Sequence, residues 1–288
     1  MPELPEVETI KRDLQDKIVG QVVSRIDIRD PKLGTGDNFA CLKGKTLKSL
    51  DRKSKILIFD FDDHNSLMIH LKMTGQLVYS NSEELLAGGH SLDQSDLKKG
   101  IGGELPNKHT RAIICFESGD NLFFNDLRRF GYMKLLGPEE KKGKLEALGP
   151  EPLSKDFDPD SFRKILKKRK VAIKKLLLDQ KVVSGLGNIY VDEVLFEARI
   201  SPERLSCKIS TQEAERLWSA IRKVLELGLR HRGTTFNNYV DGSGKKGNFS
   251  KFLKVYGREG ESCPGCGGVV KKINLAGRGT HFCPACQK

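Results

Sequence analysis

The chain has 288 residues, of which 38% are hydrophobic, and its 50 Lys and Arg against 38 Asp and Glu give a net charge of +12, so it can form two domains with real cores. The charge favours a polyanionic partner, with nucleic acid first and an anionic membrane surface second, although no basic amphipathic helix stands alone to support the second. No apolar run approaches the length of a membrane span and no signal peptide follows Met1, so the sequence predicts a cytoplasmic protein without membrane association.

The first part of the sequence predicts one helix followed by short strands. The apolar residues of the helix recur at helical spacing, and Gly20 can end it; they are Val7, Ile10, Leu14 and Ile18. The predicted strands are Gln21–Ile28, Lys55–Phe61, Ser66–Tyr79, Arg111–Phe116, Leu122–Asn125 and Tyr132–Leu136. Alternation within residues 66–73 predicts a strand with one face inward. Several strands at short spacing favour a β-sandwich over a parallel sheet.

The second part of the sequence predicts helices after a Gly/Pro linker at residues 138–152. Asp158 or Asp160 can cap the first of these helices, and Ser210 with Glu213 forms a capping box for the last. We therefore predict an α+β fold in four parts. These are a β-sandwich domain with its flanking helix at 1–137, the linker at 138–152, a helical domain at 153–256 and a cysteine-bearing module at 257–288. Within the first part, the Gly- and Ser-rich residues 80–108 predict a surface insertion without assigned chemistry.

The amino terminus carries a candidate nucleophile. Removal of Met1 would leave Pro2 as a secondary amine beside the acids Glu3 and Glu6. An α-amine has a reference pKa of about 8, so roughly a tenth of it is neutral at neutral pH. Attack of a secondary amine on a sugar carbon gives a charged iminium, which acidifies the neighbouring C–H bond. The plainer interpretation is that Pro2 and Pro5 only start a helix.

Four of the seven cysteines form two CxxC pairs, Cys263 with Cys266 and Cys283 with Cys286. This spacing is typical of a tetrahedral structural zinc site, so we predict one zinc ion per chain. His281 could replace one thiolate, but four cysteines already complete the site and leave no position for a catalytic water. The remaining three cysteines are expected to be buried thiols.

Two glycine-flanked turns are candidate phosphate-binding elements. Gly185-Leu186-Gly187-Asn188 precedes a helix and would present free N–H groups to an anion. Arg278 lies between two glycines at the tip of the predicted hairpin of the metal module, where the backbone can approach a phosphate closely. Each pattern taken alone is also compatible with a solvated turn.

Residues 2–9, PELPEVET, resemble the opening of the formamidopyrimidine-DNA glycosylases, bacterial repair enzymes for 8-oxoguanine, and further matches cover nearly the whole chain. The resemblance implies a helix–two-turn–helix domain, a zinc-finger β-hairpin and a bifunctional glycosylase and abasic-site lyase that removes oxidised purines, including 8-oxoguanine and formamidopyrimidines, from duplex DNA. In that reaction Pro2 attacks C1′, Glu3 is the general acid and Glu6 orients the amine. Elimination of the 3′ phosphate and then of the 5′ phosphate follows.

The resemblance also assigns DNA contacts. Lys55 and Arg278 would contact phosphates and assist strand cleavage, and the other implied contacts are His70, His109, Arg169 and Asn188. An enzyme that acts on a base in a duplex must extrude it, and apolar wedges then refill the gap. Met73, Arg128 and Phe130 resemble that insertion set, although Met73 and Phe130 could instead be core residues. Residues 233–249 would close over the extruded base or serve only as a connector.

Two alternatives remain open at this point. The endonuclease VIII branch of the same superfamily prefers oxidised pyrimidines, but PELPE in place of PEGPE, together with Phe130, argues against it. The second alternative is a noncatalytic zinc-finger DNA-binding protein. The presence of Pro2, Glu3 and Lys55 argues against this alternative. The expected partner is damaged double-stranded DNA, bound by a monomer in the bacterial cytoplasm and associated with the nucleoid through DNA.

Overall fold

The structure, a computed structural model, describes residues 1–92, 97–234, 239–240 and 248–288. Its helices are α1 (Leu4–Ile18), α2 (Leu97–Gly100), α3 (Pro138–Glu146), α4 (Pro159–Lys168), α5 (Ile173–Leu178), α6 (Asn188–Glu197) and α7 (Thr211–Arg230). Its strands are β1 (Val23–Ile28), β2 (Leu47–Lys53), β3 (Ile56–Phe61), β4 (Ser66–His70), β5 (Gly75–Ser80), β6 (Leu85–His90), β7 (Thr110–Phe116), β8 (Asn121–Asp126), β9 (Tyr132–Leu136), β10 (Tyr239–Val240), β11 (Lys271–Leu275) and β12 (Arg278–Phe282).

Two antiparallel sheets form the predicted β-sandwich. One sheet has the strand order β1-β7-β8-β5-β6-β10, and the other has the order β2-β3-β4-β9. Apolar side chains from both sheets bury one another in a single cluster, among them Phe59, Leu67, Leu77, Ile114 and Phe124. The α+β prediction and its N-terminal sandwich are confirmed.

Helix α1 packs into this core through the residues that the spacing predicted. Val7, Ile10, Leu14 and Ile18 are almost fully buried in the same cluster, because residues three and four apart share one face of a helix. Gly20 follows the helix with φ of 89°, a left-handed conformation that suits glycine. The amino terminus is thereby fixed to the sandwich.

The strand prediction was incomplete in three places. The single predicted run Ser66–Tyr79 is two strands, β4 and β5, that lie in different sheets. The inward face of β4 is confirmed, since Leu67 and Ile69 lie in the main core cluster. The opposite face is also covered, because Met68 packs with Ile58 and Leu136 in a second cluster. Strands β2, β6 and β10 were not predicted, and the supposed linker contains helix α3, which buries none of its residues.

The helical prediction after residue 152 is confirmed for the described residues. Asp158 caps α4 by accepting the N–H groups of Asp160 and Ser161 at 2.9 and 3.1 Å. The capping box of α7 is present, because the N–H of Ser210 donates to Glu213 at 2.8 Å and the N–H of Glu213 donates to Ser210 Oγ at 3.2 Å.

The chain divides into two compact units. Unit 1 comprises Met1–Glu146 with His231–Ser250, and unit 2 comprises Ala147–Arg230 with Lys251–Lys288. This division differs from the predicted helical domain at 153–256, because residues 231–250 group with the sandwich. The four-part domain organisation stays a prediction. Across the described part of the chain, no helix combines the length and apolar character needed to cross a membrane.

Candidate active site and nucleic-acid interface

The carboxylate of Glu6 joins the start of α1 to the segment that follows α7. Glu3 is the N-cap of the helix, and its N–H donates to Glu6 Oε2 at 2.9 Å. The other oxygen, Oε1, accepts the N–H of Thr234 at 2.7 Å and its hydroxyl at 3.1 Å. Pro2, Glu3 and Glu6 are all buried, so the predicted nucleophile and its two acids occupy one enclosed corner of unit 1.

Lys55 is brought to the same corner by the turn between β2 and β3. Arg52 Nε donates to Glu8 Oε2 on α1 at 2.9 Å, and Arg52 Nη1 donates to the carbonyl of Ser54 at 2.8 Å. These bonds tie the turn to the helix, and Lys55 is only 5% exposed. This anchoring could not be predicted from the sequence, because Glu8 and Arg52 are 44 positions apart.

The charges gathered here act on the amine of the first residue. Burial lowers the pKa of the Met1 amine, the carboxylates of Glu3 and Glu6 oppose that shift, and the Lys55 ammonium adds to it. Met1 itself is half exposed. The amine end, the two predicted acids and the predicted lysine are therefore close enough to interact electrostatically.

His70 lies at the end of β4 as a neutral imidazole. Its Nδ1 accepts the backbone N–H of Lys72 at 2.9 Å, and burial, followed by the charges of Lys72 and Lys55, lowers its pKa to about 3. A neutral imidazole that accepts at Nδ1 carries its proton on Nε2. The side chain can thus donate a hydrogen bond to a phosphate without being charged.

Three exposed side chains from two loops form the predicted insertion set. Arg128 Nη1 lies 3.6 Å from the sulfur of Met73, and its guanidinium lies 5.2 Å from the centre of the Phe130 ring. Met73 is 44% exposed and Phe130 is 54% exposed, which rules out the core role considered for both. Exposed large apolar groups beside a cation suit insertion into a stacked duplex.

Asp126, which the sequence did not single out, shapes the loop that bears Arg128 and Phe130. Its carboxylate accepts the N–H of Arg128 at 3.2 Å, the N–H of Gly131 at 2.7 Å and the hydroxyl of Thr74. Because Thr74 belongs to the loop of Met73, one buried carboxylate holds both loops together. In the sequence, Asp126 was distinguished only as an acidic residue directly after the predicted strand Leu122–Asn125.

His109 shares a small cavity, lined by polar and apolar side chains, with a second histidine, His90, that the sequence analysis did not identify. The cavity, of about 10 Å³, has room for about one water. Its lining residues are Thr74, Gln76, His90, Leu92, Ile101, His109, Asn125 and Leu127. Burial lowers the pKa of both imidazoles, and the charge of the amino terminus lowers that of His90 further.

Strand β6 places His90 level with the start of α1. Glu84, just before the strand, pairs with Lys17 near the end of the helix at 2.5 Å. Gly88 lies so close to Ile10 that a Cβ would be 2.8 Å from its side chain. The strand therefore runs antiparallel to α1 and brings His90 near the amino terminus, so the described residues of 80–108 do not form only a surface insertion.

In unit 2, the four predicted zinc ligands converge. Their sulfurs all lie within 4.8 Å of one another, with Cys263 Sγ 3.8 Å from Cys286 Sγ and Cys266 Sγ 3.5 Å from Cys283 Sγ. A tetrahedral zinc with bonds of about 2.3 Å requires sulfur–sulfur separations of about 3.8 Å, so the residues fit one structural zinc.

His281 and the three remaining cysteines do not belong to this zinc centre. His281 points elsewhere, with its ring 4.9 Å from that of Tyr256. The seven cysteines, all within the described ranges, form no disulfide. The expectation of three buried thiols was wrong, since Cys41 is exposed and Cys115 and Cys207 are half-buried.

The turn before α6 contacts the zinc hairpin at the backbone carbonyl of Gly279. Asn188, the first residue of α6, donates from Nδ2 to the carbonyl of Gly279 at 2.9 Å. Arg278 precedes that glycine and is exposed at the start of β12. The two predicted phosphate contacts of this unit are thus neighbours, whereas Arg169 pairs with Asp179 at 3.0 Å.

Glu193 holds the segment that leads into the zinc module. Its buried carboxylate accepts the N–H groups of Lys254, Val255 and Tyr256 at 2.8 to 2.9 Å. Burial raises its pKa more than these hydrogen bonds lower it. Of the proposed covering loop at 233–249, residues 235–238 and 241–247 lie outside the described residues.

Comparison with known proteins matches three parts of the chain to family models. The formamidopyrimidine-DNA glycosylase N-terminal domain matches residues 1–133, the corresponding H2TH domain matches 148–239, and the zinc finger found in FPG and IleRS matches 260–288. Formamidopyrimidine-DNA glycosylases of Heliobacterium modesticaldum and Desulfitobacterium hafniense are 41% and 42% identical, and each match covers 100% of both chains.

Solved structures of Lactococcus lactis Fpg are similar over the same length. A complex with DNA containing an abasic site is 34% identical with a TM-score of 0.87, covering 99% of both chains. A complex with DNA containing an oxidised pyrimidine is 34% identical with a TM-score of 0.86, covering 100% of both. Full-length relatives above 40% identity and family matches across both units show that this chain belongs to the formamidopyrimidine-DNA glycosylase family.

Proposed function

We propose that this DNA glycosylase of base excision repair removes oxidised purines, 8-oxoguanine and formamidopyrimidines, from duplex DNA and then cleaves the strand as an abasic-site lyase. The observation that carries the proposal is the buried corner of unit 1, where Glu3, Glu6 and Lys55 act on the amine at the start of the chain. Such a cluster suits a covalent reaction at an amine better than passive binding of DNA.

The proposed reaction begins when Pro2, exposed by removal of Met1, attacks C1′ of the extruded nucleotide. Burial lowers the pKa of the Met1 amine, and we propose that the same surroundings favour the neutral, nucleophilic form of the Pro2 amine after processing. Glu3 protonates the ring oxygen as the sugar opens, and departure of the base leaves an iminium on Pro2. Glu6 keeps this corner in place through its bonds to Glu3 and Thr234.

Strand cleavage follows from the same iminium. It acidifies the C2′–H bond, so loss of that proton expels the 3′ phosphate, and a second elimination expels the 5′ phosphate. We assign Lys55 and neutral His70 to the phosphates beside the damaged nucleotide, and Asn188 and Arg278 to backbone phosphates in unit 2. We also assign His109 and Arg169 to DNA, and Met73, Arg128 and Phe130 to the space left by the extruded base. The relatives solved with damaged DNA support a duplex partner.

Borohydride trapping tests the covalent step. The processed wild-type protein should form a reduced adduct with a duplex containing 8-oxoguanine, and Pro2→Gly should lose most of it. Pro5→Ala is the matched control, since Pro5 lies three positions from Pro2, in the first turn of α1, but has no proposed part in the reaction. Mass spectrometry should show that active protein lacks Met1. Undiminished trapping by Pro2→Gly would mean that a lysine is the nucleophile.

Two further measurements decide the remaining alternatives. Excision from duplexes containing an oxidised purine or an oxidised pyrimidine separates the proposed substrate class from that of the endonuclease VIII branch. A processed wild-type protein that binds DNA but gives no adduct would be a noncatalytic DNA-binding protein. The monomeric state is also a proposal, and sedimentation of the protein with its DNA would check it.

A further inference from the structure

Strand β12 of the zinc hairpin is fastened to the helices of unit 2 by one buried carboxylate. Asp192, on α6, is 1% exposed, and its Oδ2 accepts the N–H of His281 in β12 at 2.9 Å. Its other oxygen lies 2.5 Å from Nζ of Lys174 on α5, and both side chains of this ion pair are fully buried. The carboxylate of Asp192 therefore joins α5, α6 and the hairpin.

The carbonyl of Gly279 is the second point of attachment. It accepts from Asn188 Nδ2 at 2.9 Å and from Lys174 Nζ at 3.3 Å, so a helix on either side donates to the same oxygen. Asn188 Oδ1 is buried and has no hydrogen-bond partner among the described residues, so the Gly279 bond alone orients this amide. The peptide that follows Arg278 is held, while Arg278 itself remains exposed.

A buried ion pair of this kind is better suited to fixing geometry than to stabilising the fold. The cost of removing both charges from water offsets most of their attraction, and apolar residues of similar volume often replace such pairs without loss of stability. What apolar residues cannot supply is the second donor for the Gly279 carbonyl, beside Asn188, and the acceptor for the His281 N–H. The hairpin would keep its zinc but lose its fixed position on the helices.

We infer that Asp192 and Lys174 are positioning residues that set the places of Arg278 and Asn188 relative to the DNA backbone. The inference rests on the proposed function, because it takes Arg278 to assist the final elimination. Neither residue touches the reacting atoms; each acts through the Gly279 carbonyl or through β12. Lys174 gave no sequence signal because it lies inside an apolar helical segment.

The test uses a duplex with a preformed abasic site and measures the ratio of doubly to singly eliminated product. A fold defect lowers both products together and leaves this ratio unchanged, whereas a displaced Arg278 lowers it. The variant is Lys174→Met with Asp192→Leu in the full-length, zinc-loaded protein, and Arg278→Ala gives the reference for a missing arginine. Lys223→Met is the matched control, since it removes an exposed ion pair with Glu197 in the same unit.

We expect the ratio to fall about 10- to 100-fold in the double variant, because displacements of about 1 Å have effects of this size. Borohydride trapping and zinc content should match those of the wild type, whereas the buried His281 N–H left without its acceptor should lower the melting temperature by a few degrees. An unchanged ratio in a folded, zinc-loaded double variant that still traps would overturn the inference alone. Failure of the wild type to trap or cleave would instead overturn the proposed function, and the inference with it.

Discussion

Glu6 and Thr234 are joined by two hydrogen bonds although 228 positions separate them. The same carboxylate accepts the N–H of Glu3 next to the proposed nucleophile. The segment after α7 and the amine end of α1 therefore cannot move independently while the Glu6 carboxylate is bonded to both.

Replacing Glu6 by Gln should slow excision while leaving most of the fold intact. The amide can accept through its one oxygen, but its NH₂ group would face a backbone N–H, leaving a buried donor without a partner at a cost of about 1 to 3 kcal/mol. If the transition state bears this cost, the single-turnover rate falls roughly 5- to 150-fold. Asp16→Asn, an exposed change on the same helix, is the control. A wild-type rate for Glu6→Gln would show that this bond does not contribute to catalysis.

Replacing Cys266 by Ser should abolish DNA binding while unit 1 stays folded. The four thiolates hold the zinc, and the module packs a small apolar cluster of Val255, Val270 and Phe196 around two of them. Without metal, a module of this size cannot bury enough surface to keep its shape. Metal content and a DNA-binding titration measure the effect, with Cys207→Ser as the control. Full DNA binding after complete chelation would contradict the structural role.

The imidazole of His70 should remain neutral, with its proton on Nε2, across the range in which the enzyme is assayed. Its pKa is lowered from 6.5 to about 3, chiefly by burial, and Nδ1 accepts the Lys72 N–H. Long-range ¹H–¹⁵N spectra report the tautomer directly, and a protonated ring near neutral pH would refute the assignment.

The same pKa shift has a consequence for stability. Between the folded value of about 3 and the unfolded value of 6.5, the unfolded chain binds more protons at this residue than the folded chain does. His70 therefore lowers the free energy of unfolding as pH falls through this window and has no such effect above it. The His70→Gln variant should show a shallower decline there in urea unfolding.

Glu213 should stabilise unit 2 at neutral pH but not in strong acid. The side chain of Arg204 donates to both of its oxygens, at 2.5 and 2.9 Å, and this contact is the main reason that the pKa of Glu213 falls from 4.5 to about 2. A depressed carboxyl pKa gives stability above the unfolded value that is lost as pH falls from 4.5 to about 2.

The Glu213→Gln variant checks this expectation. Because the pair is partly solvated, the substitution should lower the free energy of unfolding at neutral pH by about 1 kcal/mol. The difference should nearly vanish near the folded pKa. Urea unfolding at both pH values measures it, with the exposed Glu215→Gln on the same helix as control. A constant difference at the two pH values would exclude the ionic contribution.

Features that depend on short stretches of chain could be predicted from the sequence. Three such features depend only on the spacing of residues a few positions apart. They are the buried face of α1, the capping box of Ser210 and Glu213, and the two CxxC pairs. The family could be identified from similarly local motifs. The strands β2 and β6 were missed because their apolar residues do not alternate clearly, although each strand pairs with one next to it in the sequence.

The contacts that assemble the candidate sites were decided only by the tertiary structure. Glu6 meets Thr234, Arg52 fixes the turn of Lys55 to Glu8, and Lys174 reaches the carbonyl of Gly279, 105 positions away. The sequence by itself determined which chemical groups are present and which helices, turns and caps form around them, because these depend on residues a few positions apart. Which of these groups meet was decided by packing, because a buried polar side chain must bond to whatever partner the folded sheets and helices bring to it.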